Sequence, residues 1–128
     1  MPKKALVIDD EPGVREILRY FLESHGWDVE TASNGEEGLG VSAAHGPSLV
    51  MVDGTMPGIN GFETARRLRE RAAATPPTIV MLTGDGAPQP SPATLAESGI
   101  DHYMTKPFDD LELSDLLDRI GADGGPRA

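Results

Sequence analysis

The chain has 128 residues and a formal net charge of −10, from 11 Lys and Arg against 21 Asp and Glu, with no cysteine. That length suits one domain with a core of its own, and the missing thiols exclude cysteine nucleophiles, iron–sulfur clusters, Cys-zinc sites and disulfide staples. The acidic field opposes binding to a duplex or an anionic bilayer. No run of 18 or more apolar residues provides a membrane span, and the start MPKKALVIDDEP reads as neither signal peptide nor anchor, so a cytoplasmic location is expected.

Lys4 to Asp9 (KALVID) predicts a first strand that ends in acids. A helix follows, with Pro12 in its first turn and Asp10 or Glu11 near the cap. Val14, Ile17, Leu18, Phe21 and Leu22 fall on one helical face, and Gly26 ends the helix. Trp27 to Ala32 alternates apolar and polar residues, which suits a strand at a sheet edge. Asn34 can cap a second helix over Gly35 to Ala44. Gly38 and Gly40 weaken it by about 1 kcal/mol each relative to Ala, so packing has to hold it.

Ser48 to Gly61 (SLVMVDGTMPGING) is the stretch around which the rest is arranged. A short apolar run bounded by turn residues reads as a buried strand of a parallel sheet. Asp53 then stands at its carboxyl end, the edge where open α/β sheets bind ligands. Phe62, Ala65, Leu68 and Ala72 give a third helix its stripe up to about Ala74, before Pro76 and Pro77. Arg66, Arg67, Arg69 and Arg71 on that helix read as a solvated face. Thr78 to Thr83 is a fourth strand. The Pro-rich GDGAPQPS that follows cannot be helical, so a helix of about two turns starts only at Pro92, with Ser91 as cap, and closes at Gly99. Ile100 to Thr105 is a fifth strand, and Leu113, Leu116, Leu117 and Ile120 form the face of a fifth helix. The tail GADGGPRA has no periodicity and reads as frayed.

Strict β–α alternation implies a parallel sheet with right-handed crossovers and helices on both faces. If strands 1, 3, 4 and 5 lie side by side, Asp9, Asp10, Glu11, Asp53, Thr83 and Lys106 meet at one edge. Crowded carboxylates repel one another, and a hard divalent cation such as Mg²⁺ relieves that repulsion through oxygen ligands. Phosphoryl transfer needs little more: metal and lysine to neutralise oxygen charge, a hydroxyl to donate, and Asp53 as the attacking carboxylate.

Over Lys4 to Ile120 the chain resembles a response-regulator receiver domain of two-component signalling, of the chemotaxis-regulator type. The resemblance rests on Asp9-Asp10, on D-x-x-M-P-G from Asp53 to Gly58 with Gly61 beyond, on Thr83 after an apolar strand, and on Tyr103-x-x-Lys106-Pro107-Phe108. It implies a flavodoxin-like (βα)5 fold with strand order 2-1-3-4-5 over residues 1–122, leaving 123–128 as a flexible tail or linker remnant. Asp53 is then the phosphoacceptor for a phosphohistidine of a sensor kinase or histidine phosphotransfer protein. Asp10, Asp53 and the backbone carbonyl of Thr55 would ligate Mg²⁺, with Asp9 acting mainly through water. Lys106 would pair with Asp53 and then with phosphate, Thr83 and Tyr103 would be switch residues, and the Lys106-Pro107 peptide would be cis. The implied partners are the kinase and a downstream protein target meeting helix 4, strand 5 and helix 5, with no direct nucleic-acid or membrane contact. Catalysis would be limited to the domain's own phosphorylation and dephosphorylation.

Two departures stand out: Gly54 replaces a bulky aliphatic residue, and Asn60 stands where an acid is common. A haloacid-type phosphatase would want a second Asp where Glu11 stands, and a flavin carrier would want a hydroxyl-rich loop in place of DDEPG. A receiver-like interaction module independent of phosphate is the remaining alternative. His25, His45 and His102 have no mutual spacing that suggests ligands or a phosphodonor.

Overall fold

A computed structural model describes residues 3–56, 58–71, 77–84, 91–106 and 108–124. Five strands alternate with five helices: β1 (Lys3–Ile8), α1 (Pro12–Ser24), β2 (Trp27–Ala32), α2 (Gly35–His45), β3 (Leu49–Asp53), α3 (Gly61–Arg71), β4 (Thr78–Thr83), α4 (Pro92–Ser98), β5 (His102–Thr105) and α5 (Asp110–Gly124). The strands form one parallel sheet in the order β2-β1-β3-β4-β5. This is the expected flavodoxin-like architecture.

Period-two alternation divides the core in two. Ala5, Val7, Leu49, Met51, Val80 and Leu82 face α1 and α5, where they meet Leu18, Phe21, Leu22, Leu113, Leu116 and Ile120. Leu6, Ile8, Val50, Val52, Ile79 and Met81 face the other side, with Leu39, Ala65, Leu68 and Ile100. Because both faces of β1, β3 and β4 are covered over Ala5–Ile8, Leu49–Val52 and Ile79–Leu82, those runs are continuously apolar, whereas the edge strand β2 keeps its alternation.

Local signals fix most boundaries. Asn34 accepts the Glu37 N–H at 2.8 Å and Ser91 accepts that of Thr94 at 3.1 Å, as their cap assignments require. Asn60 does the same for α3, accepting from Glu63 N at 2.9 Å, which gives that departure a structural role. Gly26, Gly46 and Gly99 leave helices with positive φ. Gly38 packs so closely on Ile8 that a Cβ would strike its side chain, whereas one on Gly40 would meet nothing within 4 Å. Arg66 and Arg67 are paired with Glu63 and Glu70 on their own helix, consistent with a solvated face.

Four readings shift, one of them β5, which begins at His102 rather than at Ile100. Ile17, placed on the buried face of α1, is 59% exposed, because the sheet takes up only the arc of Val14, Leu18, Phe21 and Leu22, and Ile17 lies past its edge. β1 stops at Ile8, so Asp9 begins the loop. α5 runs to Gly124, into the stretch read as frayed; 125–128 lie outside the described residues. The expected helical continuation to Ala74 and the Pro-rich segment 85–90 also lie outside them.

Candidate functional site

Sheet register assembles the site. Ile8 pairs with Val52 and Asp53 with Leu82, so the chain leaves β1 beside the end of β3. Thr83 pairs with Thr105, and Lys106 N donates to Thr83 O at 2.7 Å, which holds Lys106 at the same edge. Asp9 and Asp53 are buried, while Asp10 and Glu11 are exposed. One carboxylate oxygen from each of these four lies within 4.8 Å of the others. Among the described residues this is the one such cluster, and no histidine joins it. His25 instead stacks on Phe21 with ring centroids 4.3 Å apart, and His45 Nε2 lies 3.2 Å from the Asp28 carbonyl.

Lys106 is the cation of the group. Its Nζ lies 2.8 Å from Asp9 Oδ2, 3.3 Å from Glu11 Oε1 and 3.6 Å from Asp53 Oδ2, so its shortest ion pair is with Asp9 rather than Asp53. Burial opposes the ammonium form, but the Asp9 pair, the Asp53 charge and Glu11 outweigh it and hold the lysine above its ordinary range. Asp53 behaves in the opposite way. Burial pushes its carboxyl up from 3.8 to about 6, helped by the negative charge of Asp9 and by Asp10; the Thr55 N–H, donating to Oδ1 at 3.1 Å, and Lys106 only partly counter this.

Asp9 is held from several sides. Its N–H donates to Ala32 O at 3.1 Å, its carbonyl accepts from Arg15 Nη1 at 2.7 Å, and its Oδ1 accepts from Glu11 N at 2.9 Å. Its Oδ2 is buried and faces the Lys106 ammonium, yet accepts no well-aligned hydrogen bond. A buried carboxylate oxygen with unused lone pairs, beside three further carboxylates, suits a hard divalent cation bound through oxygen.

Small residues allow this crowding. A Cβ on Gly61 would come within 2.5 Å of the Asp53 carbonyl oxygen, so the first residue of α3 has to be glycine for the helix to start against the end of β3. A Cβ on Gly54 would lie 3.3 Å from Met81 Sδ, so Met81 occupies the space into which a side chain there would project. Thr83 Oγ1 donates to the Met104 carbonyl at 3.3 Å, toward β5, and Tyr103 is half-buried against the α2–α3 side of the core. Thr55 is exposed next to Asp53. The expected cis peptide falls on Pro107, outside the described residues.

Residues 5–118 match the model of the response regulator receiver domain. The chain belongs to that family. Among curated relatives, this receiver domain is 40% identical over 114 residues to the alkaline phosphatase synthesis transcriptional regulatory protein PhoP of Bacillus subtilis, covering 89% of this chain and 46% of that protein. It is 37% identical over 119 residues to the transcriptional regulatory protein TrcR of Mycobacterium tuberculosis, covering 93% and 44%. The chain thus spans about half the length of the curated relatives it matches. Among solved structures it is similar to the chemotaxis response regulator CheY4 of Vibrio cholerae, with TM-score 0.81, 28% identity, and coverage of 94% of this chain and 99% of that one. It is also similar to response regulator TrrA of Thermotoga maritima in complex with Mg²⁺–BeF, with TM-score 0.77, 35% identity, and coverage of 92% and 98%.

The structure therefore brings Asp9, Asp10, Asp53 and Lys106 to one edge. Glu11, read from the sequence as one of the converging acids, also reaches Lys106. Arg15 has no role in the sequence reading; it clasps the Asp9 carbonyl, and an arginine one turn into a helix carries no signal of that.

Proposed function

We propose that this receiver domain accepts a phosphoryl group on Asp53 from a phosphohistidine of a sensor kinase or histidine phosphotransfer protein, in a Mg²⁺-dependent reaction. The observation that carries the reading is the Asp53 carboxylate, nearly buried within 4.8 Å of three other acids and 3.6 Å from the Lys106 ammonium. Asp10, Asp53 and the Thr55 carbonyl would hold Mg²⁺, with Asp9 acting mainly through water. The metal, when bound, neutralises negative charge on the transferring oxygens.

An Asp53 carboxylate oxygen attacks the phosphorus in line. The new P–O bond forms as the P–N bond breaks, and the electron pair of that bond leaves on the donor imidazole. Lys106 supplies positive charge where negative charge accumulates. Thr83 exchanges its bond to the Met104 carbonyl for the phosphoryl group, and Tyr103 turns inward behind it. Contacts made only with the phosphorylated acceptor shift the population toward that state and alter the face of α4, β5 and α5 seen by a downstream protein. The Mg²⁺–BeF complex of the similar Thermotoga protein supports the metal assignment. The kinase partner follows from membership of the family.

Intact mass after incubation with a small-molecule phosphodonor tests this. A gain of one phosphoryl group that requires Mg²⁺ and disappears in Asp53→Asn is expected. No gain in the wild type, or an equal gain in the variant, refutes the reading and leaves a phosphate-independent interaction module.

A further inference from the structure

Lys106 has three anionic neighbours, and the most distant of them is the phosphoacceptor. The nearest, Asp9, is buried, and its backbone is fixed by the Ala32 carbonyl at its N–H and by the Arg15 guanidinium at its carbonyl. The second, Glu11, is different in kind. It occupies the N-cap position of α1, but its side chain makes no cap hydrogen bond. Its carbonyl accepts from Arg15 N at 3.1 Å, which anchors the backbone, while its 64% exposed carboxylate reaches across to the lysine. With the cap hydrogen bond unmade, that carboxylate acts on its own helix only through its charge near the N-terminus. Its visible effect is on Lys106, whose side chain is only 16% exposed and lies among carboxylates from two other strand ends.

We propose that Glu11 is a positioning residue that holds Lys106 on the β1 side of the pocket, away from Asp53, and so slows phosphorylation until the incoming phosphoryl group draws the ammonium across. The inference rests on the phosphoacceptor reading above for its effect on rate, but not for its claim about where the lysine stands. Glu11 and Asp9 together outbid a single Asp53 oxygen in the resting state, whereas phosphoryl oxygens gathered at Asp53 reverse the balance. Removing the Glu11 charge shifts the resting lysine toward Asp53 and raises the rate without adding any contact to the donor.

Two measurements separate this inference from the reading beneath it. The first uses neither metal nor donor: in a crystal structure of metal-free Glu11→Gln, Lys106 Nζ is expected to move into hydrogen-bond distance of Asp53. A lysine left where it stands in the wild type overturns the proposal even if the domain is phosphorylated as described. The second is the phosphorylation rate with acetyl phosphate at saturating Mg²⁺. Glu11→Gln is expected to react about two- to fivefold faster than wild type, the effect of releasing one partly exposed ion pair. In a Lys106→Met background the same substitution is expected to change nothing. An equal acceleration in both backgrounds means that Glu11 acts only through its general field and overturns the positioning role, as does no acceleration in the wild-type background. If the wild type takes up no phosphate at all, the phosphoacceptor reading fails, and the first measurement still decides where Glu11 holds the lysine.

Discussion

Replacing Asp53 with Asn should make the metal-free domain more stable at neutral pH, because the wild type holds a carboxylate there at a cost. The native carboxyl is raised from 3.8 to about 6, chiefly by burial, so between those values the folded state binds more protons than the unfolded one. Stability contributed by this group is therefore present in full below about pH 4 and lost as pH rises through about 6. The displacement corresponds to about 3 kcal/mol at pH 7 as an upper figure. Asn keeps the Oδ1 acceptor for the Thr55 N–H, which is 3.1 Å away, and removes the charge together with the Oδ2 oxygen that lies 3.6 Å from Lys106 Nζ. Chemical denaturation in EDTA at pH 4 and pH 7 measures the difference. Asp53→Asn is expected to gain about 1–3 kcal/mol over wild type at pH 7 and to show no gain at pH 4. A gain of equal size at both values, or none at pH 7, would refute the claim that buried charge at position 53 opposes folding.

Other consequences follow from the same packing. Mg²⁺ added at about a hundredfold over its dissociation constant should stabilise the wild type by about 2.7 kcal/mol in thermal or denaturant unfolding, and Asp53→Asn by less. Gly40→Ala should stabilise α2 by about 0.5–1 kcal/mol, since its added Cβ meets nothing, whereas Gly38→Ala should destabilise the protein against Ile8; equal effects would contradict the helix placement. Gly61→Ala should cost about 1–3 kcal/mol and also weaken Mg²⁺ binding measured by calorimetry, because its clash is with the Asp53 backbone and no flexible side chain can yield. Arg15→Ala should cost about 1 kcal/mol in denaturant unfolding and leave the helical circular dichroism intact, through loss of the clasp on the Asp9 carbonyl.

Much of this receiver domain was legible along the chain because its signals are local. The apolar runs of β1, β3 and β4, the caps Asn34 and Ser91, and the glycines that end α1, α2 and α4 each depend on neighbours within a few positions. The acids, threonine and lysine at successive strand ends, together with the flanking motifs, were enough to name the family and its candidate site. The uses of Gly38 and Gly61 were not, since a glycine reads as weakness until a partner backbone or side chain comes close to it. Nor was the exposure of Ile17, which depends on how much of α1 the sheet can cover.

What the amino-acid order determined by itself was thus which segments are strands and helices and which reactive groups stand at their ends. The tertiary structure decided which of those groups touch. Lys106 and Glu11 are 95 positions apart, and their pairing, like the preference of Lys106 for Asp9 over Asp53, arises from register between strands and from tenths of an ångström in side-chain reach. Burial, with the Asp9 charge beside it, raises the Asp53 carboxyl, and that environment exists only once the sheet has formed.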